Sequence, residues 1–261
     1  MSIGTAYTRA VSSRIAECAL THLDRRPIDY ARAADQHDAY EKALAAAGLD
    51  VVRLGDLPDD PDGVFVEDTA LLLGRHAIIT RPGAASRAGE TGSTAAGLAA
   101  DFTVHRLGSG TLDGGDVLGI GKILHVGLSG RTNRAGIQAL GDLASLLGYR
   151  VVPVKTTGCL HLKTAATFIG ADGAGTPVLL HHPGWVSAGH FAGVEPLAVA
   201  AGEEAAANAL RVGDTLLLAA GNPRTAQALT GRGFRVVEVD NSELQKAEAG
   251  LTCCSLIAEA E

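Results

Sequence analysis

The sequence predicts a closed α/β ring of five strand–strand–helix–strand units. Three observations predict it. The same order of elements recurs along the 261 residues, which is the signature of a repeat architecture. Glycine turns join paired strands, as at Gly74-Arg75 and Gly121-Lys122. The last apolar run has no helix after it, while the beginning of the chain carries an unclaimed helix and strand. Joining the two ends completes the fifth unit and removes exposed sheet edges. No low-complexity segment or linker interrupts the chain, so residues 1–261 are read as one domain.

The elements follow in order. Tyr30 to Ala47 is alanine-rich and stops at Gly48, which makes it a helix. Leu49 to Leu54 is a strand, and Asp56 to Gly63 an acidic loop. Val64 to Leu73 and His76 to Thr80 are paired strands, Ser86 to Ala100 a glycine-diluted helix, and Phe102 to Leu107 a strand. The next unit has strands at Asp116 to Ile120 and Ile123 to Gly127. Thr132 and Asn133 then cap a helix running to Leu147, and Tyr149 to Val154 is a strand. Leu162 to Gly170 pairs with Val178 to His182, followed by a helical piece near Ser187 to Ala192 and a strand at Pro196 to Ala200. Ala209 to Leu210 and Thr215 to Ala219 form the next pair. Asn222-Pro223 starts a helix to Thr230, and Arg235 to Asp240 is its strand. The closing strand is the apolar run Ala249 to Ile257, which contains Cys253-Cys254. Neighbouring strand residues face opposite ways, so one of these cysteines faces a given pocket.

A net charge of −7 argues against nucleic acid as a general partner and suits a small cationic one. No stretch approaches the length of a membrane span, and the first residues lack an apolar signal region. The four cysteines are too few for a disulfide scaffold. A reducing, cytoplasmic setting is expected, with the protein a monomer or homodimer.

Several stretches carry chemistry. Two adjacent cysteines in an apolar run read first as buried structural thiols and second as a nucleophile. Asp62, Glu67 and Asp68 flank an apolar strand start, where a buried carboxylate needs a partner. That partner is either a cationic ligand or an internal arginine. Asp113 and Asp116 bracket Gly114-Gly115 and serve as turn caps or as acids. His161, between two leucines, is read as a structural histidine or a base. Arg87 and Arg131 lie where helices begin, a natural place for an anion. His181, His182 and His190 match no strong metal-ligand spacing. No phosphate loop, dinucleotide fingerprint or nucleophile elbow appears in suitable context.

In combination these residues resemble a known family. Phe65-Val66-Glu67-Asp68, Ile79-Thr80-Arg81-Pro82-Gly83 with Ser86-Arg87, Leu112-Asp113-Gly114-Gly115-Asp116, Gly130-Arg131-Thr132-Asn133, Leu160-His161-Leu162-Lys163, Gly221-Asn222-Pro223-Arg224-Thr225 and Leu251-Thr252-Cys253-Cys254-Ser255 occur in the order seen in dimethylarginine dimethylaminohydrolases. The match runs nearly end to end. The resemblance implies the pentein fold, a five-bladed α/β propeller with pseudo-fivefold symmetry. It implies hydrolysis of Nω-methylated arginines to citrulline and methylamines through a thiouronium intermediate, without a cofactor. By motif position Cys253 is the implied nucleophile, His161 the acid and base, and Asp113 its carboxylate partner. Asp62, Glu67 and Asp68 are the implied wall meeting the guanidinium, and Arg87 and Arg131 the clamp on the substrate carboxylate. Leu20 and Ala247 are implied to hold the α-amino group through backbone carbonyls. Leu20 to Asp24 match a mobile loop.

Two departures bear on the comparison. Asp113 stands where some relatives carry Glu, and Cys254 occupies a place that is not always Cys. The main alternative is an arginine deiminase-like hydrolase of free arginine or another guanidino compound. Glu67 before Asp68, and Lys163 two residues after His161, favour the methylarginine reading. A non-catalytic binding protein is the other alternative, and retention of Cys253 and His161 argues against it. Those two residues could also capture an inhibitory zinc ion.

Overall fold

The computed structural model describes residues 3–260. Its strands form five three-stranded sheets: Leu256–Glu259 (β15), Gly4–Thr8 (β1) and Asp50–Arg53 (β2); Ala70–Leu73 (β3), His76–Ile79 (β4) and Thr103–Arg106 (β5); Val117–Ile120 (β6), Ile123–Leu128 (β7) and Arg150–Lys155 (β8); Ala166–Ala171 (β9), Pro177–His181 (β10) and Glu195–Ala198 (β11); and Leu210–Val212 (β12), Thr215–Ala219 (β13) and Arg235–Val239 (β14), each in that spatial order. In every sheet the central strand pairs antiparallel with one neighbour and parallel with the other. A parallel partner needs a crossover. Helices α1 (Tyr30–Ala46), α2 (Glu90–Leu98), α3 (Arg134–Leu146) and α5 (Pro223–Gly231) provide it in four blades. In the remaining blade a single 3-10 turn, Ala188–His190, sits in that crossover.

The ring closes as expected. β1 (Gly4–Thr8) pairs antiparallel with β15 (Leu256–Glu259) and parallel with β2 (Asp50–Arg53). The helix ends also follow local chemistry. Asp29 accepts from the Arg32 amide and Asn133 from the Gly136 amide, so each caps its helix.

The inner strand of each blade faces the propeller axis: β15, then β3 (Ala70–Leu73), β6 (Val117–Ile120), β9 (Ala166–Ala171) and β12 (Leu210–Val212). They line an axial cavity of about 510 Å³, which also meets Glu67, Lys163 and Thr252.

The structure corrects the sequence reading where each chain segment enters its inner strand. Strands were expected from Val64, Asp116, Leu162 and Ala249. Each instead opens with a helical turn: Val66–Thr69, Gly114–Asp116, Leu162–Ala165 (α4) and Thr252–Cys254. The fifth blade has the same feature at Glu204–Ala207. Polar side chains in these turns bond across blades or back to the main chain. Thr69 Oγ1, for example, donates to the Val66 carbonyl at 2.7 Å. Such local and cross-blade bonds compete with strand pairing. In a 3-10 turn successive side chains diverge by about 120°. Cys253 and Cys254 therefore diverge without facing opposite ways, and both are buried. Among the described residues no helix is long and apolar enough to cross a membrane.

Candidate active site

The turns gather at one end of the axis. Asp68 comes from the turn before β3 and Asp113 immediately precedes the turn before β6. His161 is the residue before α4, and Cys253 lies in the turn before β15. A cavity there is lined by Asp62, Asp68, Arg87, Arg131, His161, Ala247 and Cys253, together with Ala19, Leu160 and Glu248. Its volume is about 20 Å³, room for one water-sized molecule.

His161 is fully buried among carboxylates. Its Nε2 lies 3.0 Å from Asp113 Oδ2, and its Nδ1 lies 3.7 Å from Asp68 Oδ1. Burial alone lowers a histidine pKa. Here Asp68, Asp113 and Asp116 outweigh burial and raise it to about 9, so the ring is an imidazolium at neutral pH. Asp113 is fixed in turn, since its Oδ1 accepts from the Gly83 amide at 2.7 Å. Asp116 holds the next turn, accepting from the Leu162 amide at 2.9 Å and from Ser129 Oγ at 2.6 Å.

Asp68 accepts from the Gly115 amide at 3.0 Å and from the Arg87 guanidinium. Burial pushes its pKa up, but the charges of His161 and Arg87 hold it below the usual carboxylate range. Cys253 shows the opposite balance. Burial, then Glu67, Asp68 and Cys254, push its thiol well above the ordinary value. The Gly250 amide donates to its Sγ at 3.3 Å. The free site therefore pairs a neutral thiol with a cationic histidine.

Three of the expected binding residues, Arg87, Glu67 and Leu20, are placed differently from the resemblance. Arg87 lines the cavity, but its guanidinium is committed to Asp68, Glu90 and the Phe65 and Asp62 carbonyls. In this structure it neutralises Asp68 and leaves no free clamp. Arg131 has looser partners, Thr21 Oγ1 at 3.1 Å and Asp113 Oδ2 at 3.8 Å. Glu67 does not line this cavity; it bonds Lys163 Nζ at 2.6 Å and Thr252 Oγ1 at 2.8 Å, on the side of the axial cavity. Leu20 also stays outside the lining, where Ala19 stands instead. The Ala19 amide donates to both Asp62 carboxylate oxygens, at 3.2 and 3.1 Å. Among the described residues, one buried group that could hold a metal ion is Asp68, Asp113 and His161; Cys253 is not in it.

Sequence reasoning missed Glu248. Its backbone is left-handed (φ 62°), which non-glycine residues rarely adopt. Its carboxylate accepts from the amides of Thr21, His22 and Leu23, at 3.0, 2.5 and 2.6 Å. Those residues belong to the loop expected to be mobile, which is fastened by Glu248, itself part of the cavity lining.

No family model matches the chain. Its relatives are informative. It is 41% identical over 260 residues to a dimethylarginine dimethylaminohydrolase of Streptomyces coelicolor, covering 96% of this chain and 95% of that protein. It is 36% identical to the Pseudomonas aeruginosa enzyme of the same name, covering 87% and 89%. The chain belongs to the dimethylarginine dimethylaminohydrolase family. A solved member of that family from P. aeruginosa, a serine-for-cysteine mutant complexed with citrulline, superposes with a TM-score of 0.92 at 32% identity. It covers 99% of this chain and 100% of its own. The N-terminal domain of an arginine dihydrolase from cyanobacteria shares the fold, with a TM-score of 0.82 at 19% identity and 97% coverage of both chains. The expected five-bladed pentein propeller is thus borne out, as is the resemblance to dimethylarginine dimethylaminohydrolases.

Proposed function

We propose that this chain hydrolyses Nω-methylated arginines to citrulline and a methylamine, with Cys253 as nucleophile and His161 as acid and base. One observation carries the assignment of roles: Cys253, Asp68 and His161 line a single cavity, with His161 held on Asp113. Relatives at 36–41% identity bear the corresponding enzyme name. Action on free arginine is not favoured, because the arginine dihydrolase likeness rests on 19% identity.

The chemistry follows from the charges. A guanidinium entering beside Asp68 brings a cation next to the Cys253 thiol, which lowers its pKa so that its proton passes to solvent water. The thiolate attacks the guanidinium carbon and an S–C bond forms. His161 gives its proton to the departing amine as the C–N bond breaks, leaving a thiouronium on sulfur. His161, now neutral, takes a proton from water as the water attacks the same carbon. The S–C bond breaks, and citrulline and free thiol result. Asp113 keeps the histidine oriented and stabilises its charged form. Arg131 is the clamp on the α-carboxylate, and Asp62 with the Ala247 backbone binds the α-amino group. Arg87 holds Asp68 in place. The closed cavity fits one water, so the Thr21–Leu23 loop lifts from Glu248 to admit substrate. The reaction needs no cofactor. Zinc, if captured by Cys253 and His161, would inhibit it, since a metal on sulfur would occupy the nucleophile.

The test is citrulline formation from asymmetric dimethylarginine, monomethylarginine and arginine, with Cys253→Ser as control. Methylated substrates are expected to turn over and the control to be inactive. Turnover confined to arginine, or retained in the control, overturns the reading.

A further inference from the structure

Four of the five helical turns at the inner ends of the blades carry a residue of the site, in the turn or immediately before it: Asp68, Asp113, His161 and Cys253. The fifth turn, Glu204–Ala207, ends at Asn208, which is 3% exposed. Its Nδ2 donates to the Lys163 carbonyl and to Thr252 Oγ1, each at 3.0 Å. Its Oδ1 accepts from the Thr252 amide at 2.9 Å. Thr252 Oγ1 donates to Glu67 at 2.8 Å, and Glu67 bonds Lys163 Nζ at 2.6 Å. Asn208, Thr252, Glu67 and Lys163 therefore form a closed ring of hydrogen bonds. Each of the last three lies within two residues of a site residue: Thr252 precedes Cys253, Glu67 precedes Asp68, and Lys163 follows His161 by two residues.

We propose that Asn208 is the fifth blade's contribution to the site, a positioning residue that closes this ring and fixes the Cys253, His161 and Asp68 turns in mutual register. An amide is suited to the place. Both its hydrogens and its oxygen are used, whereas a hydroxyl or an acid supplies fewer donors. Gly250 adds to the fit, since a Cβ there falls 2.2 Å from Asn208 Cγ, so only glycine lets the nucleophile segment pass so close. Asn208 touches no substrate and acts through its three neighbours.

The proposal rests on the roles given above to Cys253 and His161, and its test separates the two. Asn208→Ala and Asn208→Asp are made in the full chain. Circular dichroism, kcat and KM for asymmetric dimethylarginine, and the pH dependence of Cys253 alkylation by iodoacetamide are then measured. Misplaced turns are expected to lower kcat by on the order of a hundredfold in the folded variants. KM stays within about threefold, because Asp62 and Arg131 are untouched, and the alkylation profile shifts. Asn208→Asp keeps the outline and one acceptor, so it decides the matter if Asn208→Ala does not fold. A folded variant with unchanged kcat and alkylation profile overturns the proposal. So does failure of both to fold, because Asn208 then holds the blade and not the site. If wild-type protein makes no citrulline, the functional reading has failed, and the alkylation profile still decides the role of Asn208.

Discussion

His161 and Asp113 are joined by a 3.0 Å contact between Nε2 and Oδ2, and neither is free to turn away. Gly83 holds the far oxygen of Asp113. The shorter acid at this position is thus compensated by the backbone that presents it. Asp113→Asn removes the charge and keeps the shape. It is expected to lower kcat by a factor of about 10² to 10⁴, the usual worth of a positioned acid–base group. An Asp113→Asn enzyme within a few-fold of wild type excludes a working pair.

The carboxylates around His161, Asp68 foremost and then Asp113 and Asp116, also set a stability profile. His161 binds its proton more tightly folded than unfolded, its pKa being raised from 6.5 to about 9. Its contribution is complete below about pH 6.5 and disappears as pH rises through about 9. The thermal midpoint of wild type is expected to fall more steeply than that of His161→Gln between about pH 7 and 10. Parallel curves rule out the raised pKa.

Cys253 and Cys254 divide into two kinds of thiol. Cys253→Ser is expected to abolish turnover. Cys254→Ser places a hydroxyl among the apolar residues packed around Cys254. It is expected to keep kcat within about threefold while costing about 1–3 kcal/mol of stability. Denaturant unfolding and citrulline assays on both variants check this, and the reverse pattern exchanges the two assignments.

Glu248 bonds three successive amides of the Leu20 to Asp24 loop. Hydrogen bonds to a charged group are worth about 1.5–3 kcal/mol each, though the losses are not additive. Glu248→Ala is expected to speed hydrogen exchange of the Thr21, His22 and Leu23 amides by at least about tenfold. Unchanged exchange means the loop is held elsewhere.

Gly115 has no room for a side chain. A Cβ there lies 2.5 Å from His161 Nδ1 and 2.8 Å from Asp68 Oδ1. Both groups are held from behind, so neither yields cheaply. Gly115→Ala is expected to lower kcat by on the order of a hundredfold in a chain that still folds. Wild-type activity in that variant contradicts the packing described.

Much of this was legible in the sequence because it is local. Glycine stops, the Asn133 cap and alternating apolar runs mark most helices and strands within a few residues. The shared fifth blade followed from counting units. The helical turns before the inner strands were not legible, because their residues look strand-like until partners from other blades are known. The resemblance implies a clamp role for Arg87, and nothing near it in sequence shows its bond to Asp68. Glu67 was grouped with Asp68 by adjacency, yet in a 3-10 turn adjacent side chains diverge. Asn208 carried one signal, a lone amide in an alanine run at the fifth repeat of a position that bears chemistry in the other four. Glu248 carried none, because its loop partners lie more than 220 residues away.

The sheet that joins Gly4–Thr8 to Leu256–Glu259 also orders events in time. Cys253 stands directly before β15, whose partner strand lies about 250 residues upstream. Contacts of such separation form late, because a long loop must close first. A chain still being synthesised can collect Asp68, Asp113 and His161 without a seated thiol. The seat of the thiol therefore depends on pairing between two strands about 250 residues apart.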